Sequence, residues 1–181
     1  VITGGATKGP IRGANVTFYA LDEFGFADGP ALATAITDAT GNFTASISGT
    51  TSLVLVETRG GSFIDESDHE PDLALKRQRS LSSTQGFVSI LPPGATTVAI
   101  TPFSQALVEK VRLESQAGGF DTRFSTSAAE FNTIFGFDVL TTIPANPPLC
   151  LFYTSDASDA PLVVDSGARP ISRPTSTSRH Q

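Results

Sequence analysis

The stretch KGPIRGANVTFYALDEFGFADGPALATAITDATGNFTASI, residues 8–47, decides how the rest of the chain is read. Val16, Phe18 and Ala20 alternate with Asn15, Thr17 and Tyr19, the period of a strand with one buried face. Asp22–Pro30 contains three acids, two glycines and a proline and reads as a loop, with Leu32–Thr37 as the next strand. Asp38-Ala39-Thr40-Gly41-Asn42 is the sharpest turn signal: Asp bonds its own backbone, and Gly and Asn tolerate the positive φ of a tight reversal. Phe43, Ala45 and Ile47 alternate again, so 32–47 is expected to be a β-hairpin.

Outward from this stretch, Val1–Ala6 reads as a first strand or an extended arm. Leu53–Glu57 is apolar at successive positions, as a central strand covered on both sides requires. Gly60–Thr84 reads as a long surface excursion with Phe63–Ile64 as a short edge strand, and Phe87–Leu91 and Thr97–Thr101 as two further strands. About seven short strands punctuated by turns predict a mainly β chain, an Ig-like antiparallel β-sandwich. At Thr101 the period changes. Thr101 suits an N-cap and Pro102 the first helical position, with Phe103, Leu107, Val108 and Val111 on one face and Gly118-Gly119 closing the run. A second helix is expected from the capping box Ser127-Ala128-Ala129-Glu130, with Phe131, Ile134 and Phe135 as its apolar face and Gly136 as its stop. Phe137–Ile143 is expected to be extended. The organisation is thus a sandwich over 1–101, a helical addition over 102–148 and an extended tail over 149–181, ordered by contacts with a neighbouring subunit.

The segments GPIRGANVTFYAL and TDATGNFTASI resemble the carboxypeptidase-regulatory-like, or transthyretin-like, β-sandwich of bacterial exported and surface proteins. Gly9, Pro10, Gly13, Ala14, Val16, Thr37, Asp38, Gly41 and Phe43 carry the likeness. TPFSQAL and FNTIFGFDVLTTIP are similar to a small helical addition in some such proteins, whereas the chain from Leu149 departs from the pattern. The resemblance implies a spacer, an adhesive module or a building block of surface structures, and it imposes no catalytic residues.

Composition narrows the function classes. Charged residues make up 17%, against the roughly 25% usual for soluble domains, and short polar side chains fill the difference. There is no Met, so Val1 is expected to be a processed N-terminus of an exported, extracellular or cell-surface chain from which a signal was removed. The net charge is −6, with ten acids against Arg59 alone between Asp22 and Asp72, and a basic end carrying Arg169, Arg173, Arg179 and His180. That distribution opposes nucleic-acid binding and favours docking of the tail on an acidic face. The apolar runs are too short to span a bilayer. Cys150 is the single cysteine, read as a small buried hydrophobe or a thiol free for an intermolecular bridge.

Reactive groupings are sparse. Asp65, Glu66, Asp68, Glu70 and Asp72, with His69 among them, form one dense carboxylate stretch. It is read first as a solvated acidic loop paired with Lys76, Arg77 and Arg79, and second as a calcium candidate, since it lacks EF-hand spacing. No other cofactor is expected. His69 and His180 have no Ser/Asp company in a recognisable motif, so no enzyme activity is expected. Asn15-Val16-Thr17 and Asn42-Phe43-Thr44 match the N-glycosylation acceptor pattern. The leading expectation is a self-associating structural subunit of a surface filament or layer, assembled by strand addition. Its assembly residues are Val1 and Ile2 at one end and Leu149, Leu151, Tyr153, Leu162 and Val164 at the other. The alternative is a monomeric adhesin or carbohydrate-binding module of a larger surface system.

Overall fold

A computed structural model describes residues 1–48, 51–64, 77–115 and 117–144. These residues form nine strands and two helices: β1 (Ile2–Ala6), β2 (Asn15–Leu21), β3 (Ala27–Ile36), β4 (Asn42–Ala45), β5 (Val54–Arg59), β6 (Ser62–Ile64), β7 (Gln78–Ser80), β8 (Val88–Leu91), β9 (Thr97–Ile100), α1 (Pro102–Glu114) and α2 (Phe120–Phe135). The strands form a sheet of order β4-β1-β9, a sheet of order β3-β2-β5-β8 and a β6-β7 ribbon. The fold is mainly β, as expected. One pair departs from the antiparallel rule: β1 runs parallel to β9, with Gly4 opposite Val98.

The hydrophobic pattern explains the layering. Ile2, Phe43, Ala45, Val98 and Ile100 from the three-stranded sheet meet Val16, Phe18, Val54, Val56 and Leu91 from the four-stranded sheet in one buried cluster. Phe18 and Phe43 touch edge to face across it, their centroids 6.1 Å apart. The other face of the four-stranded sheet supplies Leu55, Val88 and Ile90 to a second cluster with Leu107, Val108 and Val111 of α1 and Phe120 and Phe124 of α2. Val54 and Val56 thus face one core and Leu55 the other, as the apolar reading of this strand requires. Residues 102–144 share that second core with the sheet and are not a separate body.

Several local expectations change. The Asp38–Asn42 turn is present, yet its arms are not a hairpin: β3 pairs with β2 in one sheet and β4 with β1 in the other. The turn passes the chain from one sheet to the other, because Ala33 and Ala35 pack over the shared core from one side and Phe43 and Ala45 from the opposite side. The Asp22–Pro30 loop is shorter than expected, since β3 begins at Ala27. Phe63 does lie in a short strand, paired with β7 through Arg79.

The first helix begins as its sequence demands. Thr101 caps it, and the Ser104 side chain returns the bond to the Thr101 N–H in a capping box, with Pro102 at the first position. The second helix starts at Phe120, not at Ser127, because Phe120 and Phe124, one turn apart, are the residues that reach the sheet. Ser127 is therefore buried mid-helix, and Ile134 and Phe135 are 73% and 40% exposed instead of forming the core face. Gly136, at φ 75°, ends the helix as expected. Phe137–Ile143 is not extended: the Asp138 carboxylate accepts from the Leu140 N–H at 2.9 Å and the Thr141 hydroxyl at 2.8 Å. That turn places Val139 and Leu140 in the helix-side core.

Candidate functional site

Among the described residues, those singled out in the sequence do not converge on one site. The acids Asp65, Glu66, Asp68, Glu70 and Asp72, with His69, lie outside the described residues, as do Lys76, Cys150, His180 and the tail positions Leu149, Leu151, Tyr153, Leu162 and Val164. Among the described residues no group of three or more His, Cys, Asp or Glu is placed to hold a metal ion. Val1 is 77% exposed, whereas Ile2 is 7% exposed inside its own chain's core. Ile2 is a cross-strand partner of Ala45 within β1 and β4, so it belongs to the fold that it was expected to extend. Asn15 is exposed on β2. Asn42 is also exposed, but its amide donates to the Thr40 hydroxyl at 2.9 Å and so belongs to the turn.

The turn itself is held by charge. The Asp38 carboxylate accepts from the Thr40 hydroxyl at 2.7 Å and from the backbone N–H groups of Thr40 and Asn42 at 2.8 and 3.0 Å. Those donors, the Thr40 hydroxyl first, hold the Asp38 carboxyl below its ordinary range.

A polar cluster joins the two helices. Lys110 Nζ lies 2.9 Å from Glu114, 3.3 Å from Glu130 and 3.1 Å from the Ser127 hydroxyl. The Glu114 hydrogen bond raises the Lys110 pKa, and Lys110 lowers that of Glu114. Lys110 of α1 thus reaches Ser127 and Glu130 of α2, and the cluster ties one helix to the other.

Beside it, the loop between β2 and β3 docks on α1. Arg112 Nε and Nη2 donate to the Gly25 carbonyl at 3.0 and 2.8 Å, and the guanidinium lies 4.4 Å from the Phe26 ring centre. Phe24, Phe26 and Leu113 line a cavity of about 390 Å³ there.

Two exposed apolar features remain. One is an aromatic patch where α1 begins and α2 ends: the Phe103 and Phe135 rings lie 4.9 Å apart, and Phe137 sits 5.8 Å from Phe103. Phe103 and Ile134 are 41% and 73% exposed there. The other is the edge of the four-stranded sheet. β3 pairs with β2 on one side and with nothing among the described residues on the other. Its inward positions Ala33 and Ala35 rest on the core, while Leu32 and Ile36 are 46% and 67% exposed. A cavity of about 340 Å³ opens beside Ile36, lined by Gly4, Phe43 and Ile143 among others. The sequence signal for this edge was Pro30 within an otherwise strand-like run, which marks an edge position.

No helix among the described residues is long and apolar enough to cross a membrane. No protein-family model, curated protein or solved structure matches the chain.

Proposed function

We propose that the chain is a non-catalytic structural protein, a transthyretin-like β-sandwich that self-associates by strand addition into an extracellular filament or layer at a cell surface. The observation that carries this reading is the open edge of β3, which exposes Leu32 and Ile36 and has no partner among the described residues. An unpaired edge without charge is a template for a further strand. Lys, which commonly blunts such edges, is missing from Ala27–Ile36, and the single acid, Asp28, lies at its far end. Because Ile2–Ala6 already fills the middle of its own sheet, the donating strand is sought in a neighbour's edge or in residues 149–181.

The test is sedimentation and electron microscopy of the full chain and of a variant lacking residues 149–181. Concentration-dependent assembly supports the reading, and loss of assembly on deletion assigns the donor to the tail. A full chain that stays monomeric at every concentration sinks it.

The second reading, a binding module such as an adhesin, is favoured by the patch of Phe103, Phe135 and Phe137. It predicts that a dilute monomer binds an apolar or glycan ligand, and that Phe103→Ser and Phe135→Ser abolish binding.

A further inference from the structure

We infer that β3 pairs with the β3 of a second copy, antiparallel, across a two-fold axis passing through Thr34; this rests on the strand-addition reading and names one contact of the assembly, a pair that closes on itself, so that growth into a filament needs a second contact elsewhere on the chain. The Thr37 N–H donates to the Ala14 carbonyl at 3.0 Å, and the Thr37 carbonyl accepts from the Gly13 N–H at 3.0 Å. Thr37 therefore turns its backbone groups toward β2. In an antiparallel ladder that orientation alternates, so Ala35 and Ala33 also face β2. Ile36 and Thr34 turn their N–H and C=O groups to the open side. The ladder is rejoined at Ala33, since Phe18 is opposite Ala33 but Ala20 is opposite Asp28; Leu32, next to Ala33 at the end of the irregular, bulged stretch, continues the alternation in the proposed pairing. That bulge, with Pro30 inside it, ends the template on one side, and the turn at Asp38 ends it on the other.

What remains, Leu32-Ala33-Thr34-Ala35-Ile36, is self-complementary when reversed about Thr34. Leu32 then lies opposite the second copy's Ile36, Thr34 opposite Thr34, and Ala33 opposite Ala35. Every pair matches apolar with apolar or hydroxyl with hydroxyl, and no charge meets a charge. The residues facing outward on the ladder are those whose side chains are exposed, so each such pair exchanges both hydrogen bonds while covering Leu32 and Ile36. Shifting the axis by one residue to Ala35 sets Leu32 against Asp38 and Thr34 against Ile36, which forfeits the apolar match. A contact of this length buries less than the roughly 1,200–2,000 Å² of a standard interface, so the dimer is weak and concentration-dependent.

The experiment uses full chains carrying Cys150→Ser. Thr34→Cys is expected to oxidise rapidly to a covalent dimer, since paired residues in such a ladder have Cα atoms about 5.5 Å apart, within reach of a disulfide. Leu32→Cys or Ile36→Cys alone are expected to give none, because each lies about 14 Å from its own counterpart, whereas a mixture of the two gives the crosslinked heterodimer. Thr34→Lys is expected to weaken association at least about tenfold at an unchanged melting temperature. Association without the Thr34→Cys crosslink, or undiminished by Thr34→Lys, overturns this pairing and leaves strand addition standing. A chain that never associates overturns both. Slow exchange of the Thr34 and Ile36 amides at dilutions where the chain is monomeric also overturns the pairing, because an occupant from the same chain then covers the edge.

Discussion

Replacing Gly41 by alanine isolates the geometry that lets one turn carry the chain between sheets. Gly41 sits at φ 79°, and its carbonyl accepts from the Ala6 N–H at 2.8 Å. A Cβ there would stand 2.7 Å from the Ala6 carbonyl oxygen and 3.1 Å from the Ile11 nitrogen, both backbone atoms that cannot swing aside. Two costs add. The left-handed conformation costs a side-chain-bearing residue about 1–2 kcal/mol. Forcing an extra carbon into a filled site costs a further ~1–3 kcal/mol. Gly41→Ala should therefore lose about 2–5 kcal/mol, the sum of those two ranges. Gly94 is the control, since it has φ 77° and nothing within 4 Å of its would-be Cβ. Gly94→Ala should lose only the conformational part, about 1–2 kcal/mol. Urea unfolding followed by circular dichroism measures both, compared at equal m. Equal losses for the two variants would refute the close approach of this turn to β1 as the reason for glycine at 41.

Four other outcomes follow from the packing and the charges. Leu55→Ala should cost about 2–5 kcal/mol, because Leu55 is the central strand's contribution to the helix-side core, and the loss is read by urea unfolding. Ser104→Ala should cost about 1–2 kcal/mol in the same assay: its buried hydroxyl accepts from the Thr101 N–H at 2.9 Å and lies within bonding distance of the Val88 and Thr101 carbonyls. Ser89→Ala should be neutral or stabilising by about 1 kcal/mol, since Ser89 Oγ is buried without a partner among the described residues. The lowered carboxyls of Asp38 and Glu114 contribute stability that is present above their ordinary values of 3.8 and 4.5 and is lost as pH falls through the lower folded values. The raised Lys110 contributes below 10.5, and its share is lost as pH rises through the higher folded value. Melting temperature should therefore hold between these limits and fall in acid, with a shallower acid limb in Asp38→Asn and Glu114→Gln; superimposable acid limbs would contradict it.

What the sequence made legible was local. Thr101 and Pro102 announce the start of α1 because a cap is a local contact, closed in the structure by Ser104 three residues on. Asn15–Leu21 follows from alternation and the doubly covered strand at Leu55 from an unbroken apolar run, neither of which needs knowledge of distant neighbours. Long-range choices were hidden. A turn at Asp38 reads the same whether its arms pair with each other or go to different sheets, and only β1, inserted between β4 and β9, decides it. The Ser127 capping box is a genuine local pattern overridden by the burial of Phe120 and Phe124, which extends the helix upstream through it. The candidate edge was marked only by Pro30, which denotes an edge strand; alternation shows that a strand exists but not which flank stays open.

The arrangement of layers explains why the open flank is β3. The four-stranded sheet is covered on its outer face where β5 and β8 lie, since Leu55, Val88 and Ile90 meet α1 and α2. β8 is the opposite edge of that sheet, yet its Val88 N–H is taken by the Gln105 side chain at 3.0 Å and its Val88 carbonyl lies 3.1 Å from the Ser104 hydroxyl, so α1 covers the start of this edge. Side chains from the helix thus do for Val88 what another strand would do. β3 has no such cover among the described residues, and its outward side chains are Leu32, Thr34 and Ile36 where a solvated edge would carry charge. One edge covered by helix side chains and the other open and uncharged is the asymmetry that the proposed pairing through β3 requires.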